Sequence, residues 1–261
     1  VSGVLRFGKN STSTGNWEDN SSWDGDSPVA GEHVFIKNGH TITINSNINV
    51  NTITIETGGS LVVDGEYEIT IGPNGSLKNN GSFSGTQSTI ILKGTSVIEG
   101  NTETHFNNIT VEGFDVTLNA GSTKINGILE LKAGSILNAP EFLEGSTLKY
   151  SQGGTYKRVT EWNNPWHVQI ANETYLDFNI DGFSNNITVN GDLIIDENSS
   201  ATVDNEHTYD LIIEGDIFLN GTLSLSETIG SDLEIRGNWN RTGTFTHNDR
   251  LVTFNASSGT Q

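Results

Sequence analysis

Short runs of alternating apolar and polar residues recur along most of the chain. They are rich in β-branched residues, and Gly, Asn, Asp or Ser bounds each run. Clear examples lie at 33–36, 41–44, 52–55, 60–63, 68–71, 89–92, 108–111, 192–195 and 210–213. A period of two residues predicts β-strands that bury one face. No stretch carries an apolar stripe with the helical period of 3.6 residues, so we predict almost no helix.

The runs also recur in register. A Gly, a small or polar residue and then an apolar residue open many of the predicted strands. This triplet occurs at 59–61, 75–77, 81–83, 127–129, 134–136, 191–193, 215–217, 221–223 and 243–245. Gly191, Gly215 and Gly237 follow one another at intervals of 24 and 22 positions. Such intervals are typical of one turn of a β-solenoid, in which successive coils stack.

We therefore predict an all-β fold, a right-handed parallel β-helix. The right hand is the usual preference of parallel crossover connections. An antiparallel sandwich or barrel would show the same alternation, and it is the alternative fold. The predicted coils occupy residues 32–149 and 184–261, and an irregular coil or insertion occupies residues 150–183.

The two ends of the chain have different patterns. Residues 1–31 contain Trp17 and Trp23, and we expect these rings to cap the open apolar end of the repeat core. Residues 250–255 resemble an earlier coil more than a cap. We therefore expect an open C-terminal end and a native protein that continues past Gln261.

The composition and charge of the chain argue against several classes of function. The formal net charge is −19, from 32 acidic and 13 basic residues, and this field repels nucleic-acid phosphates. The chain has no Cys, so it has no disulfide framework and no thiolate chemistry. No apolar run approaches the ~20 residues that span a bilayer. We expect an extracellular protein without nucleic-acid partners and without a membrane span in this segment.

The opening residues resemble the start of β-helical ectodomains in large Bacteroidetes surface proteins. The resemblance rests on Asn16-Trp17, Ser22-Trp23-Asp24-Gly25, Pro28 and Gly31-Glu32-His33-Val34. The stretches 156–170 and 232–255 resemble internal repeats of the same group. The resemblance implies type IX secretion, a bacterial cell-surface location and neighbouring domains of the same polypeptide as partners. It implies no single activity.

A carboxylate-rich loop near the N-terminus is a candidate calcium site. Asp19, Asp24 and Asp26 lie in a Gly-containing stretch, and Ca²⁺ favours flexible loops that are rich in oxygen ligands. The spacing matches no EF-hand, and the alternative is a solvated cap loop. The six His residues are scattered without a metal-binding spacing, so we predict no other metal site.

Residues 150–183 concentrate aromatic side chains. Tyr156, Trp162, Trp166 and Tyr175 are a candidate platform on which sugar rings of an extracellular polysaccharide would stack. The alternative is that these rings fill an enlarged core. Exposure of the two Trp side chains separates the two interpretations.

Other activities find less support in the sequence. Polysaccharide hydrolases need two carboxylates at a fixed separation, whereas the carboxylates of this chain are mostly single and lie at turns. Two Thr-x-Thr pairs, at 41–43 and 52–54, are typical of an ice-binding face, but we expect later strands to lack them.

We therefore predict a structural or adhesive segment that acts as a rigid spacer, and no enzymatic activity. A carbohydrate-binding module is the alternative, and a polysaccharide-degrading β-helix enzyme is the less favoured third hypothesis.

Overall fold

A computed structural model of the chain describes residues 8–119, 122–178, 186–203 and 209–255. Within these ranges the regular structure is short β-strands and a single 3₁₀ turn, Asn20–Ser22. In chain order the strands are β1 (Lys9–Asn10), β2 (Gly15–Asn16), β3 (His33–Ile36), β4 (Thr41–Ile44), β5 (Ile48–Ile55), β6 (Ser60–Val63), β7 (Glu68–Asn79), β8 (Ser82–Ser84), β9 (Thr89–Lys93), β10 (Val97–Gly100), β11 (Thr104–Phe106), β12 (Asn108–Glu112), β13 (Thr117–Leu118), β14 (Thr123–Ile125), β15 (Ile128–Ala133), β16 (Glu141–Phe142), β17 (Thr147–Tyr150), β18 (Gly154–Lys157), β19 (His167–Ile170), β20 (Thr174–Asp177), β21 (Ile187–Val189), β22 (Leu193–Ile195), β23 (Ser200–Thr202), β24 (Leu211–Ile213), β25 (Ile217–Leu219), β26 (Thr222–Ser224), β27 (Leu233–Ile235), β28 (Trp239–Arg241), β29 (Thr244–Thr246) and β30 (Val252–Phe254).

The chain forms two compact units. The first comprises Val1–Gly127 and Gly134–Glu141, and the second comprises Ile128–Ala133 and Phe142–Gln261. In both units each strand pairs in parallel with the strand one coil later, as β3 does with β5 and β22 does with β25. This is a parallel β-solenoid. The predicted fold class and the near absence of helix are confirmed, and the antiparallel sandwich is wrong.

The first unit stacks its strands along two main paths. One path runs β1, β3, β5, β7, β9 and β12, and the other runs β2, β4, β6 and β8. Inward-facing residues align from coil to coil, so that Val34, Ile53 and Leu77 form one column without solvent exposure. Each such side chain contributes about 1.5–3 kcal/mol by leaving water.

The second unit has three paths. They run β15, β17, β19, β22, β25 and β28; β18, β20, β23, β26 and β29; and β21, β24, β27 and β30. Leu148, Val168, Leu193 and Ile217 form a fully buried column, and Trp239 continues it. The alternation seen in the sequence is therefore the alternation between this core and the surface.

The recurrent Gly residues mark close contact between coils. A Cβ atom built on Gly237 would lie 2.3 Å from the carbonyl oxygen of Gly215. A Cβ on Gly215 would lie 2.6 Å from the carbonyl carbon of Gly191. The backbones of successive coils approach so closely at this position that no side chain fits, which explains the triplet that opens the strands.

The N-terminal residues begin both paths of the first unit. β1 pairs with β3, and β2 pairs with β4. Trp17 and Trp23 are buried, with ring centroids 5.2 Å apart in an edge-to-face arrangement. The indole N–H of Trp23 donates to the Trp17 carbonyl at 2.8 Å. The capping role of this pair stays a prediction, and residues 1–7 lie outside the described residues.

Candidate functional site

The four candidate aromatic residues do not share one face of the second unit. Thr155 aligns with Tyr175, and Tyr156 aligns with Leu176, in the parallel pair β18–β20. Neighbouring residues of a strand project to opposite faces, and aligned residues project to the same face. Tyr156 therefore points inward with the buried Leu176, whereas Tyr175 points outward and is 47% exposed. A single platform of four rings is not formed. Residues 179–183 of the predicted aromatic segment lie outside the described residues.

Tyr156 takes part in a buried polar network around Glu161. The Tyr150 hydroxyl donates to Glu161 Oε1 at 2.8 Å, and the Tyr156 hydroxyl donates to Oε2 at 3.5 Å. The backbone N–H of Val159 donates to both carboxylate oxygens at 3.1 Å. Glu161 and Tyr150 have no solvent exposure. Buried polar groups need such partners, because an unpaired one costs its full desolvation energy.

Arg158 is the cation beside this network, and Trp162 packs over it. The Arg158 side chain is buried, and its Nε donates to the Phe178 carbonyl at 2.8 Å. The guanidinium carbon lies 4.8 Å from the centroid of the Trp162 ring, in a cation–π arrangement. The same ring meets Phe178 edge to face, at 5.7 Å between centroids. Trp162 is only partly exposed, and its contacts are internal.

Burial dominates the electrostatics of this network. Desolvation raises the pKa of Glu161, although the Val159 N–H, the Tyr150 hydroxyl and the charge of Arg158 oppose the shift. Desolvation also disfavours the charged form of Arg158, and it therefore lowers the pKa of that residue. Burial and the nearby Glu161 carboxylate raise the pKa of both Tyr150 and Tyr156 well above the usual value. Both phenols therefore remain neutral donors. Because solvent does not reach the Glu161 carboxylate, this network holds the loop in place and offers nothing to an external substrate.

Trp166 is also only partly exposed, and it lies against the next coil. Its carbonyl accepts the N–H of Gly191 at 2.6 Å. Its ring atom Cδ1 lies 2.9 Å from the position that a Cβ on Gly191 would occupy. The Trp166 indole therefore packs so close to Gly191 that a side chain at position 191 would collide with it.

Tyr175 begins an outward-facing surface of hydroxyl side chains. Ser200 aligns with Tyr175, Thr222 aligns with Ser200, and Thr244 aligns with Thr222. A second outward row lies two residues further along the same strands and contains only hydroxyl residues from β23 onward. We call Tyr175 of β20 and the outward residues of β23, β26 and β29 the hydroxyl face: Tyr175, Ser200, Thr202, Thr222, Ser224, Thr244 and Thr246.

A shallow groove of about 270 Å³ lies on the first of these rows. Tyr175 lines it together with turn residues of the following coils, among them Glu197, Asn198 and Asn220. Ser200, Thr222 and Thr244 also line the groove. An exposed aromatic ring thus lies beside hydroxyl, amide and carboxylate groups, which is a mixture suited to a polar ligand with apolar faces.

The expectation that later strands lack threonine pairs was wrong. Thr244 and Thr246 form a Thr-x-Thr pair on β29. On β23 and β26, Ser replaces one Thr of each pair.

Turn side chains connect successive coils in two series. In the first turn ladder, Asp192 Oδ1 accepts the N–H of Asp216, and Asp216 Oδ1 accepts the N–H of Asn238, both at 2.7 Å. His167 Nδ1 begins this series by accepting the N–H of Asp192 at 2.9 Å. Each of these side chains supplies a backbone donor of the next coil with an acceptor.

The second turn ladder repeats the arrangement at another turn. Asn186 Oδ1 accepts the N–H of Asp210 at 3.3 Å. Asp210 Oδ1 accepts the N–H of Asp232, and Asp232 Oδ1 accepts the N–H of Leu251, both at 3.0 Å. Hydrogen bonds to a charged acceptor are stronger than those between neutral groups.

The acidic N-terminal loop does not gather its carboxylates. Asp24 accepts the backbone and side-chain N–H groups of Asn10 at 2.9 and 2.6 Å. Desolvation alone would raise the pKa of Asp24, but these hydrogen bonds outweigh it and lower the pKa. Asp19 accepts from Asn16 at 3.2 Å, and Asp26 accepts from Asn20 at 3.4 Å.

Each candidate calcium ligand thus has its own amide donor. In the ranges that the structure describes, no three His, Cys, Asp or Glu side chains are gathered as a metal ion would require. Those same ranges contain no helix that is long and apolar enough to cross a membrane.

Residues 17–108 match the G8 domain family. The match begins at Trp17, includes β3–β11, and covers less than half of the 261 residues. This part of the first unit is therefore similar to a G8 domain. No curated protein and no solved structure matches the chain. The resemblance to Bacteroidetes surface proteins stays a prediction.

The sequence did not reveal the Glu161 network or the hydroxyl face. A single Glu and a single Arg in an aromatic segment give no periodic signal, and burial of such a pair depends on tertiary structure. The hydroxyl face had a signal, because Ser or Thr at positions i and i+2 recurs at 200–202, 222–224 and 244–246.

Proposed function

We propose that this chain is a structural segment of a secreted cell-surface protein, and that its coils act as a rigid spacer or adhesive stalk. The proposal assigns no catalytic step to the chain. Its partners are neighbouring domains of the same polypeptide. The parallel β-solenoid and the match to a G8 domain are consistent with an extracellular structural role.

The observation that carries this proposal is the continuity of hydrogen bonding between coils. In the second unit, three strand paths join each coil to the next, and the two turn ladders add side-chain acceptors between the strands. A load applied to the chain must break many of these bonds together before a coil detaches. Resistance of this kind is what a spacer requires.

The acidic surface supports a location outside the cell. A net charge of −19 favours solubility and disfavours docking on anionic membranes and nucleic acids. Export by type IX secretion and a bacterial cell-surface location extend the proposal, and the sequence resemblance supports them. Surface proteolysis of intact producing cells tests the location, because an internal protein would be protected.

Single-molecule stretching of the full chain tests the spacer role. We expect Asp216→Ala to lower the unfolding force, because the N–H of Asn238 loses its acceptor. Asp216→Asn retains an acceptor oxygen and should stay close to the wild type. Glu144→Ala, at an exposed turn outside both ladders, is the control. Equal unfolding forces for all four proteins would contradict the role of the ladders, and unfolding of the wild type at negligible force would contradict the spacer.

Carbohydrate binding is the second candidate function, and the exposed ring of Tyr175 is the observation that favours it. The four-ring platform does not support this function, because Tyr156 faces inward and Trp162 is engaged with Arg158 and Phe178. What remains is one half-exposed ring beside a polar groove.

A further inference from the structure

We infer that the hydroxyl face of the second unit is a binding surface for a neutral polysaccharide, with Tyr175 as its stacking residue. This inference sharpens the second candidate function and does not depend on the spacer role. Of the four aromatic residues that the sequence predicted as a platform, only Tyr175 belongs to this surface.

The first argument is the chemistry of the groove. The Tyr175 ring is 47% exposed at one end of it, where its flat apolar face is available to the C–H groups of a sugar ring. Ser200, Thr222 and Thr244 continue from this ring along the coils, each with a hydroxyl that can donate and accept. Asn198 and Asn220 add amides at the rim.

The second argument is repetition. Strands of parallel coils lie about 4.8 Å apart, so the hydroxyl row repeats at a short and regular interval. A ligand that itself repeats a polar unit with apolar faces can contact several coils at once, and each further unit adds to the affinity. A polysaccharide has this property, whereas a single sugar would reach one or two coils.

The third argument is charge. The outward residues of β23, β26 and β29 are Ser and Thr alone, in a chain with 32 acidic and 13 basic residues. Glu197 is the one carboxylate among the described residues that line the groove, and its oxygens can accept hydrogen bonds from ligand hydroxyl groups. With this carboxylate and a net charge of −19, the surface disfavours anionic polysaccharides and leaves neutral ones.

Ice is the competing ligand, because paired Thr residues on a flat face suit it. The half-exposed Tyr175 ring and the groove that it lines interrupt the flat surface that ice would need. Asp177 and Lys157 also continue the second outward row beyond Thr202 with charged groups. These features favour the polysaccharide.

Affinity electrophoresis of the full chain tests the inference, with hydroxyethyl cellulose and soluble starch as neutral probes and polygalacturonate as the anionic probe. We expect at least one neutral probe, and not the anionic one, to retard the wild type. Tyr175→Ala should weaken that binding about tenfold. Tyr175→Phe should retain it, because the ring is kept. Circular dichroism and thermal melting establish that each variant is folded.

Phe218→Ala is the matched control. Phe218 is an outward aromatic residue of the same unit, 37% exposed, but it lies on β25 between Ile194 and Asn240. Its loss should leave binding unchanged. Thr222→Ala and Thr244→Ala should weaken binding, whereas Thr155→Ala, on the other side of Tyr175, should not.

The outcomes separate the two claims. Retardation that survives Tyr175→Ala would overturn this inference and leave the second candidate function standing. Three results would overturn both this inference and the second candidate function. They are no retardation by hydroxyethyl cellulose and none by starch, preference for the anionic probe, and inhibition of ice growth without polysaccharide binding. None of these results bears on the spacer role, which the stretching experiment tests separately.

Discussion

The regular coils of the second unit and its aromatic segment use carboxylates in opposite ways. In the regular coils, Asp192 and Asp216 lie at turns, where each accepts one backbone N–H of the next coil. In the aromatic segment, Glu161 lies without solvent exposure and shares its oxygens among two tyrosines and Val159. Among the residues that the structure describes, the turn arrangement recurs from coil to coil of the second unit, whereas the Glu161 network occurs once.

The difference shows how a solenoid includes an irregular segment. A turn carboxylate stays partly exposed to solvent, so it needs few protein partners and the same residue type can recur coil after coil. A buried carboxylate needs dedicated partners, and only a loop with its own aromatic and basic side chains supplies them. We therefore expect the two regions to respond differently to mutation and to pH.

Loss of the Glu161 carboxylate should have the largest effect. Glu161→Ala removes the acceptor of the Tyr150 hydroxyl and the negative charge that offsets buried Arg158. Breaking a buried charged network in this way destabilises a protein by about 3–5 kcal/mol. Chemical denaturation measures the loss, with Glu144→Ala as an exposed control expected to change stability by less than about 0.5 kcal/mol. Equal effects of the two variants would remove the distinction between the regions.

Truncation of a core side chain in the regular coils should cause the second-largest loss of stability. Leu193→Ala leaves a cavity in the buried column between Val168 and Ile217, at a cost of about 2–5 kcal/mol. Ile194→Ala, on the outward face of the same strand, should cost much less because Ile194 is partly exposed. Thermal or denaturant unfolding of the pair measures the contrast. A larger loss for Ile194→Ala would mean that the assigned faces are reversed.

The smallest expected effect is a dependence on pH. Burial raises the folded-state pKa of Glu161 above its ordinary value of 4.5. The neutral form of Glu161 is therefore more favoured in the folded protein than in the unfolded chain, and the resulting stability is fully present below 4.5 and is lost as pH rises through the folded-state pKa. Relative to Glu161→Gln, which does not titrate, the wild type should thus lose stability from acidic to neutral pH.

The pH experiment compares the two proteins by denaturation at each pH. Other carboxylates are the same in both proteins, so the difference between them isolates Glu161. The opposite trend, with the wild type gaining on Glu161→Gln as pH rises, would show that Arg158 and the hydrogen bonds lower the pKa more than burial raises it.

The sequence by itself determined the repeat and its strands. Alternation with period two, β-branched residues and glycines at intervals of 24 and 22 positions leave few folds other than stacked parallel coils. Gly215 and Gly237 belong to that signal because the contact between coils excludes a side chain at their position. Such constraints act on every coil, and their repetition makes them visible in one sequence.

Tertiary structure alone decided which residues meet. Thr155, Tyr175, Ser200 and Thr222 align although their spacings are 20, 25 and 22 positions, because turns of unequal length lie between them. Hydrogen-bond register, and not residue count, therefore placed Tyr175 on the hydroxyl face and Tyr156 on the core side. Burial of Glu161 likewise depends on the packing of a whole loop, which leaves no periodic trace in the chain.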